Sequence, residues 1–245
     1  MKVDDLPVPK SPSRAEGFTV RGLQPGTCYY FGLKTADDTL NWSGISNIDT
    51  ATTEAYESSG PHAYGVLIAH LNPVLGYTSA PTSSYEGFSD LAHCHDAITA
   101  GDILPEYPQI WFVIASFDNS PGPIELMEVQ FGFADYDPAG ICLVDYSAPH
   151  NCVLELSSSG WPGPQEGTCI VFDSHTLPTS PLVELYWFAS YVYSPVSIEL
   201  GPNPDTGHAT FGGNLLHNYL PPTIDKVYDF GIMGFGKPGY NPCAQ

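Results

Sequence analysis

The chain has 245 residues and a formal net charge of −20, from 27 Asp and Glu against 7 Lys and Arg. Such an excess of negative charge repels nucleic acids and anionic membranes, and no basic stripe reverses it. The longest apolar runs, 110–117 and 185–193, fall far short of the ~20 residues that a membrane-spanning helix needs. We therefore expect neither nucleic-acid binding nor membrane insertion.

The composition favours strands over helices. The 24 Gly and 24 Pro are spread along the chain and leave no stretch long enough for a row of helices. Aromatic residues make up 13% of the chain, and aromatic side chains favour strands. The chain is therefore predicted to be all-β, with one large domain or with one small and one medium domain.

Six cysteines allow three disulfides, which would place the protein outside the cytoplasm. Cys142 and Cys152 lie close enough in sequence to join neighbouring strand ends. No apolar signal segment follows Met1, so we expect any export signal to lie upstream of this sequence. The expected localisation is extracellular or at the cell surface.

The N-terminal part of the chain carries a recognisable motif set. Residues 1–16 are polar and proline-rich, which predicts a linker. Residues 17–54 contain Leu23-x-Pro25-Gly26-Thr27-x-Tyr29, Tyr30-Phe31-x-Leu33, Asn41-Trp42-Ser43 and Ala51-Thr52-Thr53. This set resembles the C-terminal half of a fibronectin type III domain.

The resemblance implies a partial domain whose tyrosine corner falls on Tyr29. Alternation predicts that Tyr29, Phe31 and Leu33 point inward from one strand. The first half of such a domain is missing. Either the start of the gene is misplaced, or the remnant packs on the larger domain, or a partner supplies strands. Domains of this family usually space or bind, which implies a module of a larger exported protein.

Residues 55–64 predict a second linker, and residues 65–245 a β-sandwich or jelly-roll domain with one short helix. The helix is predicted over Ser89–Ala100, with Ser89 or Asp90 as its N-cap and Gly101 beyond its end. Residues 110–117 are apolar on both faces, which is typical of a central strand covered on both sides.

The larger domain is organised around Leu126–Tyr146. Met127, Val129, Phe131 and Phe133 fall on one face of a strand, turn-forming residues follow at 135–140, and the apolar pattern resumes at Ile141. This pattern predicts a β-hairpin or a sharp corner between two strands.

Short strands are also predicted at 152–156, 169–172, 185–193, 196–200 and 209–211, separated by turn signals. This spacing indicates a sandwich or jelly roll. The strand that runs into Tyr136-Asp137-Pro138 resembles a feature of cohesin-like exported bacterial sandwiches, a resemblance that implies architecture alone.

Two clusters are candidates for metal binding. His93 and His95, with another histidine nearby in the fold, could hold zinc or copper; alternatively they flank a buried or disulfide-bonded Cys94. Asp118, Asp135 and Asp137 lie at turns, where carboxylates either bind Ca²⁺ or cap the turn. Apart from Ca²⁺, no cofactor is expected.

Aromatic residues are candidates for ligand binding. Trp161 lies in a Gly- and Pro-rich loop, where its ring either binds a sugar or protein surface or closes one end of the sandwich. Tyr186, Tyr191 and Tyr193 share one strand, a pattern typical either of core and rim or of a binding stripe.

The sequence contains no nucleophile elbow and no phosphate-binding glycine loop. It favours a non-catalytic extracellular module for attachment, spacing or carbohydrate binding, with a polysaccharide or another surface protein as partner. One alternative is a secreted hydrolase that acts on polysaccharide or ester bonds through loop carboxylates. Another is a subunit of a surface assembly completed by a partner strand.

Overall fold

The structure, a computed structural model, describes residues 20, 23, 26–37, 39, 41–53, 60–80, 84–120, 124–213 and 224–243. The chain divides into two compact units, residues 1–57 and 58–245. The division falls within the predicted linker 55–64, and the predicted linker 1–16 lies outside the described residues. No described helix is long and apolar enough to cross a membrane.

The described secondary structure consists of short strands and a single 3-10 turn, which confirms the predicted all-β class. The strands are β1 (Cys28–Phe31), β2 (Asp49–Thr52), β3 (Val66–Asn72), β4 (Ala100–Gly101), β5 (Gln109–Ser116), β6 (Leu126–Phe133), β7 (Ile141–Ser147), β8 (Cys152–Ser157), β9 (Gly167–Phe172), β10 (Leu182–Val192), β11 (Val196–Gly201), β12 (Thr210–Gly213), β13 (Ile224–Lys226) and β14 (Ile232–Phe235).

In the smaller unit, β1 and β2 form an antiparallel pair with Tyr29 opposite Ala51. Tyr29 is half-buried, whereas Phe31 and Leu33 are 37% and 61% exposed. The prediction that Phe31 and Leu33 point into a core is therefore wrong, because two strands by themselves cover little apolar surface.

In the larger unit, one sheet has the antiparallel order β3-β5-β10-β7. Its strand β5 confirms the predicted central strand, since every residue from Ile110 to Ser116 is buried. Alternate side chains point to opposite faces, so Trp111 and Val113 join one apolar cluster while Phe112 and Ile114 join another.

The second sheet is built around β6. Strand β9 pairs with one side of β6 and β8 lies beyond β9, while β11 and β12 pair with the other side. Strand β13 extends β12, and β14 and β4 extend β11. Because β6 and β7 belong to different sheets, residues 126–146 form the corner rather than the hairpin.

The sheets pack face to face around a cluster of aromatic rings. Phe131 and Phe133 are fully buried, and Trp111 stacks on Phe188 with ring centroids 4.5 Å apart. Burying a side chain of this size stabilises the fold by about 1.5–3 kcal/mol.

A second apolar cluster lies on the outer face of the four-stranded sheet, where side chains of segments 75–80 and 84–97, together called the covering segment, and Cys243 cover it. The helix predicted over Ser89–Ala100 is wrong, since this segment holds only the 3-10 turn Cys94–Asp96. The reason is tertiary: His70 bonds Ser89 O at 2.9 Å through Nε2 and accepts from Ile98 N at 3.0 Å through Nδ1. Because Ser89 O and Ile98 N bond the His70 side chain of the sheet, they are not available for the backbone hydrogen bonds of a helix.

One disulfide, Cys94–Cys243, fastens this covering segment to the C-terminal tail. The predicted Cys142–Cys152 pairing is wrong, because both of these cysteines are free. Cys142 lies near the start of β7, about 17 Å of strand away from the β7–β8 connection. Cys152 lies directly after that connection, so the length of β7 separates the two cysteines.

Candidate functional site

The two sheets are hydrogen-bonded to each other along one side of the sandwich. There Leu67 N donates to Asp229 O at 3.1 Å and Gly231 N donates to Leu67 O at 2.7 Å. On the opposite side, β7 ends one sheet and β8 ends the other, and no described strand pairs with the outer side of either. We call β7, β8 and their connection 148–151 the open edge.

Strand β8 presents apolar side chains to solvent. Val153, Leu154 and Leu156 are 63%, 48% and 59% exposed. Leu154 and Leu156 lie opposite Val171 and Cys169 of β9, on the sheet face directed away from the core. The strand contains neither Lys nor Pro, which commonly protect an edge from pairing with another chain. Its backbone is therefore an accessible template for a further strand.

A cleft of about 640 Å³ lies along the open edge. It is lined by residues of the covering segment, of β7 and β8 and of the centre of the sheet: Ser84, Tyr146, Ser147, Ala148, Pro149, His150, Cys152, Val153, Leu154, Glu155 and Trp187. Its volume falls within the range typical of ligand sites, about 300–1,000 Å³.

Polar side chains hold β8 against the interior. The Tyr186 hydroxyl donates to Glu155 Oε1 at 2.5 Å, and Ser157 Oγ donates to the same oxygen at 2.8 Å. Ser157 Oγ also bonds Thr168 Oγ1 at 2.8 Å. Burial of Tyr186, together with its bond to Glu155, raises the pKa of this phenol above its usual value. This network fixes the position of β8, which pairs with a described strand on one side alone.

The open edge carries negative charge. Glu155 belongs to β8, Asp145 of β7 accepts from Tyr77 Oη at 3.2 Å, and Glu86 accepts from His150 N at 2.8 Å and also bonds the His150 ring. No residue that lines the cleft is Lys or Arg. The site therefore favours a cationic partner.

The structure distributes the four aromatic candidates between core and surface. Trp161 is 7% exposed and Tyr186 is 2% exposed, so neither ring is available to stack on a surface ligand. Trp161 instead packs on Phe133 with ring centroids 4.8 Å apart, where it closes the end of the core. Tyr191 is half-buried, and Tyr193 is 52% exposed.

The metal candidates do not form one cluster. Among the described residues, no group of three or more His, Cys, Asp or Glu side chains is placed to hold a metal ion. His93 and His95 flank the disulfide-bonded Cys94 in the sequence, and their exposed rings stack on each other with centroids 5.4 Å apart. Asp135 is exposed, and Asp137 Oδ1 accepts from Ala139 N at 2.9 Å, a turn-capping bond.

Asp118 and His95 do share a second cleft, at the end of β5, which also contains Tyr64 and Tyr228. Sequence reasoning missed this pair of tyrosines and the apolar residues of β8. The signal for β8 was the run Val153-Leu154-Glu155-Leu156, which has no Lys or Arg nearby.

No family model and no curated protein matches the chain. Solved structures similar to it include a cohesin module from the family 33 glycoside hydrolase of Clostridium perfringens ATCC13124, with 10% identity and a TM-score of 0.41 over 71% of this chain and 96% of that one. A non-cellulosomal cohesin from Archaeoglobus fulgidus has 10% identity and a TM-score of 0.40 over 71% and 91%. A cohesin from a Clostridium thermocellum cohesin–dockerin complex has 8% identity and a TM-score of 0.41 over 73% and 97%. At these TM-scores the likeness assigns no family and no partner to the chain.

Proposed function

We propose that the larger unit is a non-catalytic binding module that takes an extended, basic segment of a partner protein as an additional strand on β8. One observation carries this proposal: β8 is an edge strand whose last five residues, Val153–Ser157, are all exposed. In strand addition, backbone hydrogen bonds supply affinity and alternate side chains supply specificity. Leu154 and Leu156 would contact the alternate side chains of the added strand.

Charge favours a partner over a second copy of this chain. From Ser58 onward, Lys226 and Lys237 are the only Lys or Arg residues. Two such units would repel each other at their acidic open edges, whereas a lysine- or arginine-rich strand would be attracted to Glu155 and Asp145.

The Cys94–Cys243 disulfide supports a role outside the cytoplasm, where such bonds persist. The fibronectin-like motif set of residues 17–54 supports the further proposal that the smaller unit is a spacer within a larger exported protein. Attachment to a partner protein then belongs to the larger unit.

The experiment uses the full chain and a synthetic peptide of alternating lysine and valine, since backbone pairing needs alternation rather than one sequence. We expect the peptide to bind and to slow amide hydrogen exchange in β8. A peptide of alternating glutamate and valine should bind at least about tenfold more weakly, a difference of about 1.4 kcal/mol. A lysine–valine peptide with N-methyl groups on every amide should not bind, because neither of its edges then carries N–H donors.

Matched protein variants distinguish binding at β8 from a general effect of added surface charge. Leu154→Lys and Leu156→Lys should weaken binding of the lysine–valine peptide. Val74→Lys adds the same charge at an 81% exposed position outside the open edge and should leave binding unchanged. Equal binding of the N-methylated peptide, or no slowing of exchange in β8, would refute strand addition. A concentration-dependent dimer with protected β8 amides would identify a second copy as the occupant instead.

A further inference from the structure

A second cleft, of about 600 Å³, lies at the β3 side of the four-stranded sheet, opposite the open edge. It is formed where β5 ends, where the chain enters β3, and where the C-terminal tail passes. Its lining combines two aromatic rings with several polar side chains: Tyr64, Tyr228, Ser116, Asp118, Asn119 and His95. Its volume suits a small ligand of a few rings.

The two tyrosines are held in place by the backbone. Their ring centroids lie 5.8 Å apart at an interplanar angle of 60°, and Tyr228 N donates to Gly65 O at 2.8 Å. Tyr64 has a φ of 66°, a backbone conformation that residues other than glycine rarely adopt. Tyr64 nevertheless keeps its ring 48% exposed. The fold thus keeps at this position an exposed aromatic ring that contributes little to the core.

The polar residues lie in an equally fixed turn. Asp118 and Asn119 form the turn that follows β5, closed by a bond from Ser120 N to Phe117 O at 2.9 Å. Ser120 Oγ donates to Ala63 O at 3.1 Å, which ties this turn to the segment that carries Tyr64. Ser116 lies deeper in the lining, 2% exposed, and its Oγ makes no hydrogen bond in the structure. A buried hydroxyl without a hydrogen-bond partner is uncommon, and a ligand bound in the cleft would supply the missing partner.

We infer that this cleft binds a neutral oligosaccharide. Exposed tyrosine rings can pack against the apolar faces of sugar rings, while carboxylate, amide and hydroxyl side chains bond the hydroxyl groups around the ring edge. Asp118 and the net charge of −20 disfavour an anionic sugar. The inference does not depend on the proposed protein partner, because the two clefts lie at opposite edges of one sheet.

The test measures binding of the full chain to hexasaccharides of glucose, mannose, xylose and galactose by isothermal titration calorimetry. A hexasaccharide of galacturonic acid is the anionic comparison. At least one neutral sugar is expected to bind with a Kd below about 1 mM. Tyr228→Ala and Asp118→Ala should each weaken that binding at least about tenfold.

Tyr64→Gly distinguishes a ligand-binding role from a structural one. Glycine tolerates the positive φ, so this variant should unfold at the same or a higher temperature and yet lose binding at least about tenfold. Tyr107→Ala, which removes a 69% exposed tyrosine elsewhere in the unit, should leave binding unchanged. The inference would be overturned if no neutral hexasaccharide bound, or if the Tyr64 and Tyr228 variants bound the sugar as tightly as the parent chain does. Tighter binding of the galacturonic acid hexasaccharide than of any neutral one would also overturn it. Leu154→Lys should have no effect here, so failure of one proposal is distinguishable from failure of the other.

Discussion

The Tyr186 hydroxyl donates to Glu155 Oε1 at 2.5 Å and thereby joins the interior of one sheet to the exposed edge strand of the other. Tyr186 is buried beneath β8, whereas Glu155 remains exposed to solvent. This bond, together with the bond of the same hydroxyl to Thr168 Oγ1 at 3.3 Å, spans the side of the sandwich on which no described strand connects the sheets. It keeps β8 in register on β9 while the outer side of β8 stays accessible.

Tyr186→Phe removes this donor and keeps the ring. We expect the free energy of unfolding to fall by about 1–2 kcal/mol, because a partly buried hydrogen bond to a charged group is lost while Ser157 still bonds Glu155. Urea unfolding measures the change. Tyr193→Phe, at a 52% exposed ring, is the control and should be neutral; equal losses in both variants would contradict a special role for the Tyr186 bond.

Trp161→Ala removes a ring that packs against Phe131 and Phe133. We expect a loss of about 3–5 kcal/mol in the free energy of unfolding, since a large cavity opens in the core. The matched control is Trp42→Ala in the smaller unit, where the ring is 64% exposed and the loss should stay within about 0.5 kcal/mol. A small effect at Trp161, measured by urea unfolding, would place its ring outside the core.

The Cys94–Cys243 disulfide joins residues that are 149 apart in sequence. Constraining the unfolded chain over such a loop stabilises the fold by about 5 kcal/mol in the chain-entropy model. Replacing both cysteines by serine should lower the unfolding midpoint in urea accordingly. Replacing the exposed Cys28 by serine should not, and a double variant as stable as the parent would show that the covering segment is held by packing alone.

Stability should depend on pH through two buried histidines. Burial lowers the pKa of His62 and of His70 below the ordinary value of 6.5, against the opposing effect of nearby carboxylates. The unfolded chain then binds protons that the folded chain does not, so these two histidines lower the free energy of unfolding as pH drops below about 6.5, and their contribution no longer changes well above that pH.

Urea unfolding at about pH 7.5 and about pH 5.5 measures this dependence. His70→Gln should reduce the difference between the two pH values, with the remainder due to His62. His95→Gln, at an exposed histidine, should leave the difference unchanged. An identical pH dependence in the parent chain and in His70→Gln would assign the titration to other groups.

Periodicity in the sequence predicted those elements whose burial is decided locally. The all-apolar run of β5 and the two-residue alternation of β6 each required a covered strand, and the structure has both. The turn residues between Phe133 and Ile141 allowed a hairpin or a corner, because a turn by itself does not determine which sheet the next strand joins.

Features that depend on distant residues could not be predicted in the same way. The segment 89–100 has helical capping signals, yet His70, far away in sequence, binds its backbone. Cys243 was one of several partners open to Cys94. The cleft with Tyr64 and Tyr228 is assembled from segments that are far apart in the chain, and no local pattern indicates it.

The bond between Cys94 and Cys243 also determines how the larger unit would respond to tension. A protein that connects an anchored body to a partner is pulled through its backbone, and a cross-link shortens the length that mechanical unfolding can release. Here the loop between the two cysteines withholds about 500 Å of contour length. Even if the sheets were pulled apart, the strands from β4 to β14 would remain tethered within that loop.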